Sequence, residues 1–249
     1  GYSNNLGGGG IGNANNNKVT VSGTVNSPAS GVKEISGGYS LMGSALRNEL
    51  EITGTVNVNT YGGKTGTNSS GDTSENTISI SSSGSIVGSV YGGYTQGTGD
   101  ASCNTISSSG SITGHVFGGA GAGSTDNNTV QIKDSGTVIG SVYGGWTLST
   151  TDSVSGNTVE LDTDQNVTGS VYGGYAEGTS GASGDACGNK VIVSSGSIGG
   201  GVYGGVAGKG NADSNSIVIA GGGIDNNIYG GYTSGSGTAN NNSITISGA

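Results

Sequence analysis

Apolar and polar residues alternate in short bursts along this chain, and the bursts recur. Asparagine–x–apolar–x–apolar is found at Asn17-Lys18-Val19-Thr20-Val21, Asn48-Glu49-Leu50-Glu51-Ile52, Asn76-Thr77-Ile78-Ser79-Ile80, Asn128-Thr129-Val130-Gln131-Ile132 and Asn157-Thr158-Val159-Glu160-Leu161. It continues at Asn189-Lys190-Val191-Ile192-Val193, Asn215-Ser216-Ile217-Val218-Ile219 and Asn242-Ser243-Ile244-Thr245-Ile246, with a degraded copy at Asn104-Thr105-Ile106-Ser107-Ser108. Alternation with period two marks a strand with one buried face. The mean spacing of the copies, from Asn17 to Asn242, is about 28 residues.

A second pattern follows each first one. Its clearest copy is Gly84-Ser85-Ile86-Val87-Gly88-Ser89-Val90-Tyr91-Gly92-Gly93-Tyr94, with relatives beginning at Gly110, Gly136, Asn166, Gly196 and Gly223. Weaker forms run from Gly54 to Lys64 and from Gly23 to Tyr39, the latter with a six-residue insertion carrying Pro28. Each copy supplies two more short strands, Ser-Ile and Val-Tyr-Gly-Gly, separated by a glycine that can bend. Turn-forming residues of variable number then lead to the next asparagine.

Three short strands bury nothing alone. Stacked at about 4.8 Å per turn, each strand pairs with its copy in the next unit and the inward Val and Ile form continuous columns. The expected fold is all-β: a right-handed parallel β-helix (β-solenoid) of about nine coils of ~28 residues with three short strands per coil, the hand following from the crossover rule. A propeller blade needs four antiparallel strands and ~40–50 residues, more than one unit offers. Residues 1–249 read as a single solenoid segment. The opening Gly1-Tyr2-Ser3 falls in mid-repeat, so the chain reads as an excerpt of a longer repeat protein.

The recurring residues have structural readings. The asparagine shares parity with the inward Val and Ile, so it should form an internal ladder of stacked amides. The aromatic at 61, 91, 117, 143, 172, 203 and 229 should form a stacked column. The Gly-Gly after it needs either positive φ or close backbone approach. The next position holds Lys64, Tyr94, Ala120, Trp146, Tyr175, Val206 and Tyr232. Such variety at a fixed place suggests exposure. Tyr94, Trp146, Tyr175 and Tyr232 are therefore the candidate ligand contacts, able to stack on sugars or partner proteins. The alternative is solvent-facing decoration or packing against the adjacent loop. Leu41, Met42 and Leu46 are unusually apolar for a loop and are expected to pack over one side of the rod or to cover a neighbour.

Composition narrows the function. Glycine makes up 56 of 249 residues, charged residues 9%, and the net charge is −9. No basic cluster exists, so nucleic acid is not an expected partner. No run of 18 apolar residues exists, so no helix of this segment is expected to enter a bilayer. Cys103 and Cys187 lie three coils apart, roughly 14 Å at this rise, beyond disulfide reach, so two free thiols are expected. With one histidine and no CxxC, a structural zinc site is not expected. His115 stands where other copies have serine and reads as exposed filler. The acids Asp72, Asp100, Asp126, Asp152, Asp185 and Asp213 look scattered over loops. Asp162 and Asp164, flanking Thr163, could bind calcium only weakly. No catalytic, cofactor or metal residues are assigned, and an enzyme is not expected.

The alternation of Asn-Thr-Val-x-Ile with Gly-Ser-Ile-x-Gly-x-Val-Tyr-Gly-Gly-Tyr resembles the repeats of autotransporter passenger domains and related adhesin-like surface proteins of Gram-negative bacteria, over essentially all of 1–249. That resemblance implies a parallel β-helix passenger at the cell surface, anchored in the outer membrane through a missing C-terminal part. It also implies adhesion to host or bacterial glycans or proteins. The alternative is a structural fibre whose solenoid ends associate end to end.

Overall fold

The computed structural model describes residues 2–3, 12–26, 33–178 and 184–248. The insertion at Pro28 and the middle of the 176–188 loop lie outside them. Among the described residues there is no helix; all regular structure is parallel strand. The chain winds as a parallel β-helix of about eight turns. The nine first strands, Lys18–Val21 to Ser243–Ile246, enclose eight turns rather than the nine coils counted from motif copies.

Register follows the motif residue for residue. Ile106 pairs with Ile78 on one side and Val130 on the other. Val90, Val116, Val142, Val171 and Val202 follow one another across one sheet. The inward residues form one continuous core: Leu50, Ile78, Ile106, Val130, Val159, Val191 and Ile217 are all fully buried. Burying each removes apolar surface from water at about 25 cal/mol per Å², and no single coil can do this without its neighbours.

The three strands of each coil form two sheets. The third strands build a nine-stranded sheet. First and second strands share a 15-stranded sheet, because Thr158–Val167 and Lys190–Ile198 each run through both positions without a break. In the first of these the inward Thr163 hydroxyl bonds the Asp134 and Gly136 carbonyls of the preceding turn, at 2.9 and 2.8 Å, where other coils bend.

The loops are more regular than their variable length suggests. Their final residues stack by backbone bonds at every turn, among them Ala45 to Asp72, Thr73 to Asp100, Ala101 to Ser124, Thr125 to Ser153, Val154 to Asp185 and Ala186 to Asn211, each at 2.8–3.0 Å. Small residues here close a second core of Val154, Ala176, Ala186, Ala207 and Ala212. Leu41 and Leu46 are half-buried and Met42 is 38% exposed.

The asparagine ladder is continuous. Each side-chain amide donates to the next carbonyl oxygen, from Asn17 to Asn48 (2.7 Å) through to Asn215 and Asn242 (3.1 Å). That same oxygen also accepts the backbone N–H of the preceding asparagine. The residue before each rung turns left-handed. Gly156 and Gly188 do so at no steric cost, whereas Arg47, Glu75 and Cys103 adopt φ of 54–60° against their intrinsic preference.

Candidate functional site

The outer side of the third strand gathers the stacked aromatic side chains of the described residues. Its shape begins at Gly-Gly. Neither glycine in the copies from Gly62 to Gly231 has a positive φ; the need is close approach. A Cβ on Gly119 would meet the Ala101 carbonyl and the Asn128 amide at under 3.0 Å. The glycine pair thus makes room for the asparagine ladder. It also breaks the strict alternation of the strand, so that residues three apart, such as Tyr91 and Tyr94, come to one face with ring centroids 5.1 Å apart.

Two aromatic columns result. The first, Tyr61-Tyr91-Phe117-Tyr143-Tyr172-Tyr203-Tyr229, stacks with centroid spacings of 4.8–5.4 Å and interplanar angles of 6–17°. The solenoid rise imposes this spacing, and it falls within the favourable range for ring pairs. The second column lies over the first. Tyr94 packs on Tyr61 and Tyr91, Trp146 on Phe117, Tyr175 on Tyr143 and Tyr172, and Tyr232 on Tyr203 and Tyr229.

The exposure expected for the second column is therefore corrected. Tyr94, Trp146 and Tyr175 are half-buried; Lys64, Ala120 and Val206 are buried; Tyr232 alone is exposed, at 41%. Lys64 lies against the rings, its Nζ 4.7 Å from the Tyr61 centroid and 5.6 Å from that of Tyr39, and paired with Glu34.

Of the four predicted contacts, the structure brings two together. Trp146 and Tyr175 flank a cleft of about 230 Å³ completed by His115, Phe117, Tyr143, Tyr172 and Glu177. Tyr94 and Tyr232 lie elsewhere on the same face. Sequence reasoning missed Glu177, which sits two residues past Tyr175, and assigned His115 no role. His115 holds a place in a side-chain ladder: Ser89 Oγ accepts the His115 backbone N–H at 3.1 Å, and the exposed imidazole's Nδ1 accepts the backbone N–H of Ser141 at 3.0 Å. Ser141 and Ser170 continue it. A signal was present, since His115 occupies the serine column two residues before the aromatic.

Burial pushes the Tyr143 phenol up to about 12, with the neighbouring Tyr172, Tyr175 and Glu177 adding to it and a hydrogen bond from Ser141 opposing it. Burial likewise raises Tyr175, and the Glu177 charge is the next cause. Both raised phenols thus line the cleft with Glu177 beside them.

The acids are stacked rather than scattered. Asp72 Oδ1 accepts the Asp100 N–H, Asp100 Oδ1 that of Ser124, and Asp126 Oδ1 that of Ser155, at 2.7–3.0 Å. Asp72 and Asp100 share one column and Asp126 lies in a parallel one with Ser102 and Ser155; burial raises the Asp100 and Asp126 carboxyls, and nearby acids raise them further. Asp162 bonds Ser195 and Asp164 bonds Gln165, both at the surface. Among the described residues no group of three or more His, Cys, Asp or Glu is placed to hold a metal ion. Cys103 and Cys187 are unpaired thiols. Cys187 Sγ fills a ladder position, accepting the Asp213 N–H at 3.4 Å.

Fold and face together define a parallel β-solenoid repeat protein with an aromatic outer surface. No family model, curated protein or solved structure matches this chain.

Proposed function

We propose that this chain is a segment of an extracellular bacterial surface adhesin, a rigid β-helical stalk whose aromatic face and loops contact glycans or proteins on other cells. The observation that carries the reading is the double aromatic column with its cleft at Trp146 and Tyr175. Interior positions are fully used by core packing and amide ladders, so binding chemistry falls to the outer face, where half-exposed rings offer apolar area with polar rims. Anchoring in the outer membrane through a further part of the protein belongs to the same proposal. No catalytic role is included.

The test is a glycan array and a host-cell adhesion assay with the purified chain and its Trp146→Ala variant. Adhesion or glycan binding that drops at least tenfold in the variant is the expected result. Absence of binding in both assays, or binding unchanged by the substitution, overturns the reading.

A further inference from the structure

We infer that the cleft between Trp146 and Tyr175 binds an alkylated ammonium group, the chemistry of a choline or trimethyl-lysine head. This goes beyond the adhesin reading and does not depend on it.

The first argument is the lining. Five rings, those of Phe117, Tyr143, Trp146, Tyr172 and Tyr175, converge on one small cleft with a single acid, Glu177. A cation is attracted to aromatic π-density, most strongly to Trp, and a quaternary ammonium loses little hydration on entering such a cage. Glu177 is exposed and, among the described residues, takes part in no ion pair. Its charge is felt in the cleft, where it is among the groups that hold the Tyr143 and Tyr175 phenols up.

The second argument is a precedent within the same face. Three turns earlier, at the position equivalent to Trp146, the chain places its own ammonium. Lys64 Nζ lies 4.7 Å from the Tyr61 ring centroid and 5.6 Å from that of Tyr39, and pairs with the Glu34 carboxylate. Rings, acid and cation are all present there. At Trp146 and Tyr175 the rings recur, an acid comes from a different place in the coil (Glu34 aligns with Asn59 in the column of Ser89 and His115, whereas Glu177 follows Tyr175 by two residues), and no lysine or arginine lines the cleft. A net charge of −9 favours a cationic visitor over an anionic one.

A neutral sugar would use the same rings without needing Glu177. The ligand's charge therefore separates this inference from glycan binding.

Trp146 is the one tryptophan of the chain, so its fluorescence reports on this cleft alone. Choline chloride titrated into the full chain is expected to change that fluorescence saturably. The neutral carbon isostere 3,3-dimethylbutan-1-ol should bind at least tenfold more weakly, and Glu177→Gln, a surface change that leaves the fold intact, should weaken choline several-fold. Comparing phosphocholine with Nε-trimethyl-lysine then distinguishes a lipid- or glycan-borne head from a protein-borne one. No saturable response to choline, or equal responses to choline and its isostere, overturns the inference. A glycan-array signal that persists without a choline response would leave the adhesin reading standing and this one refuted.

Discussion

Asn104 donates its side-chain amide to the Asn128 carbonyl oxygen at 3.0 Å, and that same oxygen accepts the Asn104 backbone N–H at 2.9 Å. One side chain thus satisfies two donors of the turn above it. Its own amide bonds Ala101 and Asn157. Removing it takes a bond from each of four buried groups, although Asn157 Oδ1 keeps the residue-128 N–H and Asn104 Nδ2 keeps the Thr73 carbonyl. Asn128→Ala should cost about 2–3 kcal/mol, a fall in Tm of about 5–10 °C for a chain of this size. Asn128→Asp should be worse, because a carboxylate cannot donate to Ala101 or Asn157. Thermal melts check the order, and amide exchange should show the loss centred on the neighbouring turns.

The glycine pair is the other half of this contact. Gly119→Ala drives a methyl into the Ala101 carbonyl and the Asn128 amide and should cost about 3 kcal/mol. Gly23→Ala is the control: a Cβ there meets nothing within 4 Å, and the stiffer unfolded chain should leave stability unchanged or higher by about 0.5 kcal/mol. Equal losses at both sites would contradict the steric account.

The aromatic column links stability to alkaline pH. Tyr61, Tyr91, Tyr143, Tyr175 and Tyr203 are all raised, with burial the largest cause in each case. Their phenols hold protons more tightly folded than unfolded. The stabilisation is complete below the unfolded value of 10.0 and is lost as pH rises through about 12, the value for Tyr143. Strand dichroism followed against pH should stay flat below 10 and collapse together with the rise of tyrosinate absorbance.

Asp126 predicts the opposite response to a mutation at neutral pH. Burial is the main cause raising its carboxyl, and Asp100 and Asp152 add repulsion. A raised acid favours the folded state fully at pH below its unfolded value, and this advantage disappears as pH climbs through the folded one. At neutral pH the charge is therefore a liability. Asp126→Asn keeps an oxygen for the Ser155 N–H (2.7 Å) and should raise Tm by about 1–3 °C at neutral pH. In acid, where both states are protonated, the gain should vanish.

Much of this could be read from residue order. Period-two alternation fixed the inward faces of Ile78 and Ile106, and equal repeats placed like residues over like, so the asparagine ladder and the first aromatic column followed directly. Loops were harder. Their lengths vary, so nothing in the sequence aligned Asp72 with Asp100 and Ser124, or Cys187 with Asp213.

What sequence alone determined is the translational repeat: a strand that cannot bury its face must stack on its own copy, and identical units can stack only in register. What tertiary structure decided is the outer surface. Tyr94, Trp146 and Tyr175 were expected to stand free, but the close approach at Gly-Gly turns them onto the ring column. The gap between Trp146 and Tyr175, with His115 and Glu177 at its edges, depends on side-chain directions at a corner where alternation fails. No one-dimensional pattern encodes those directions.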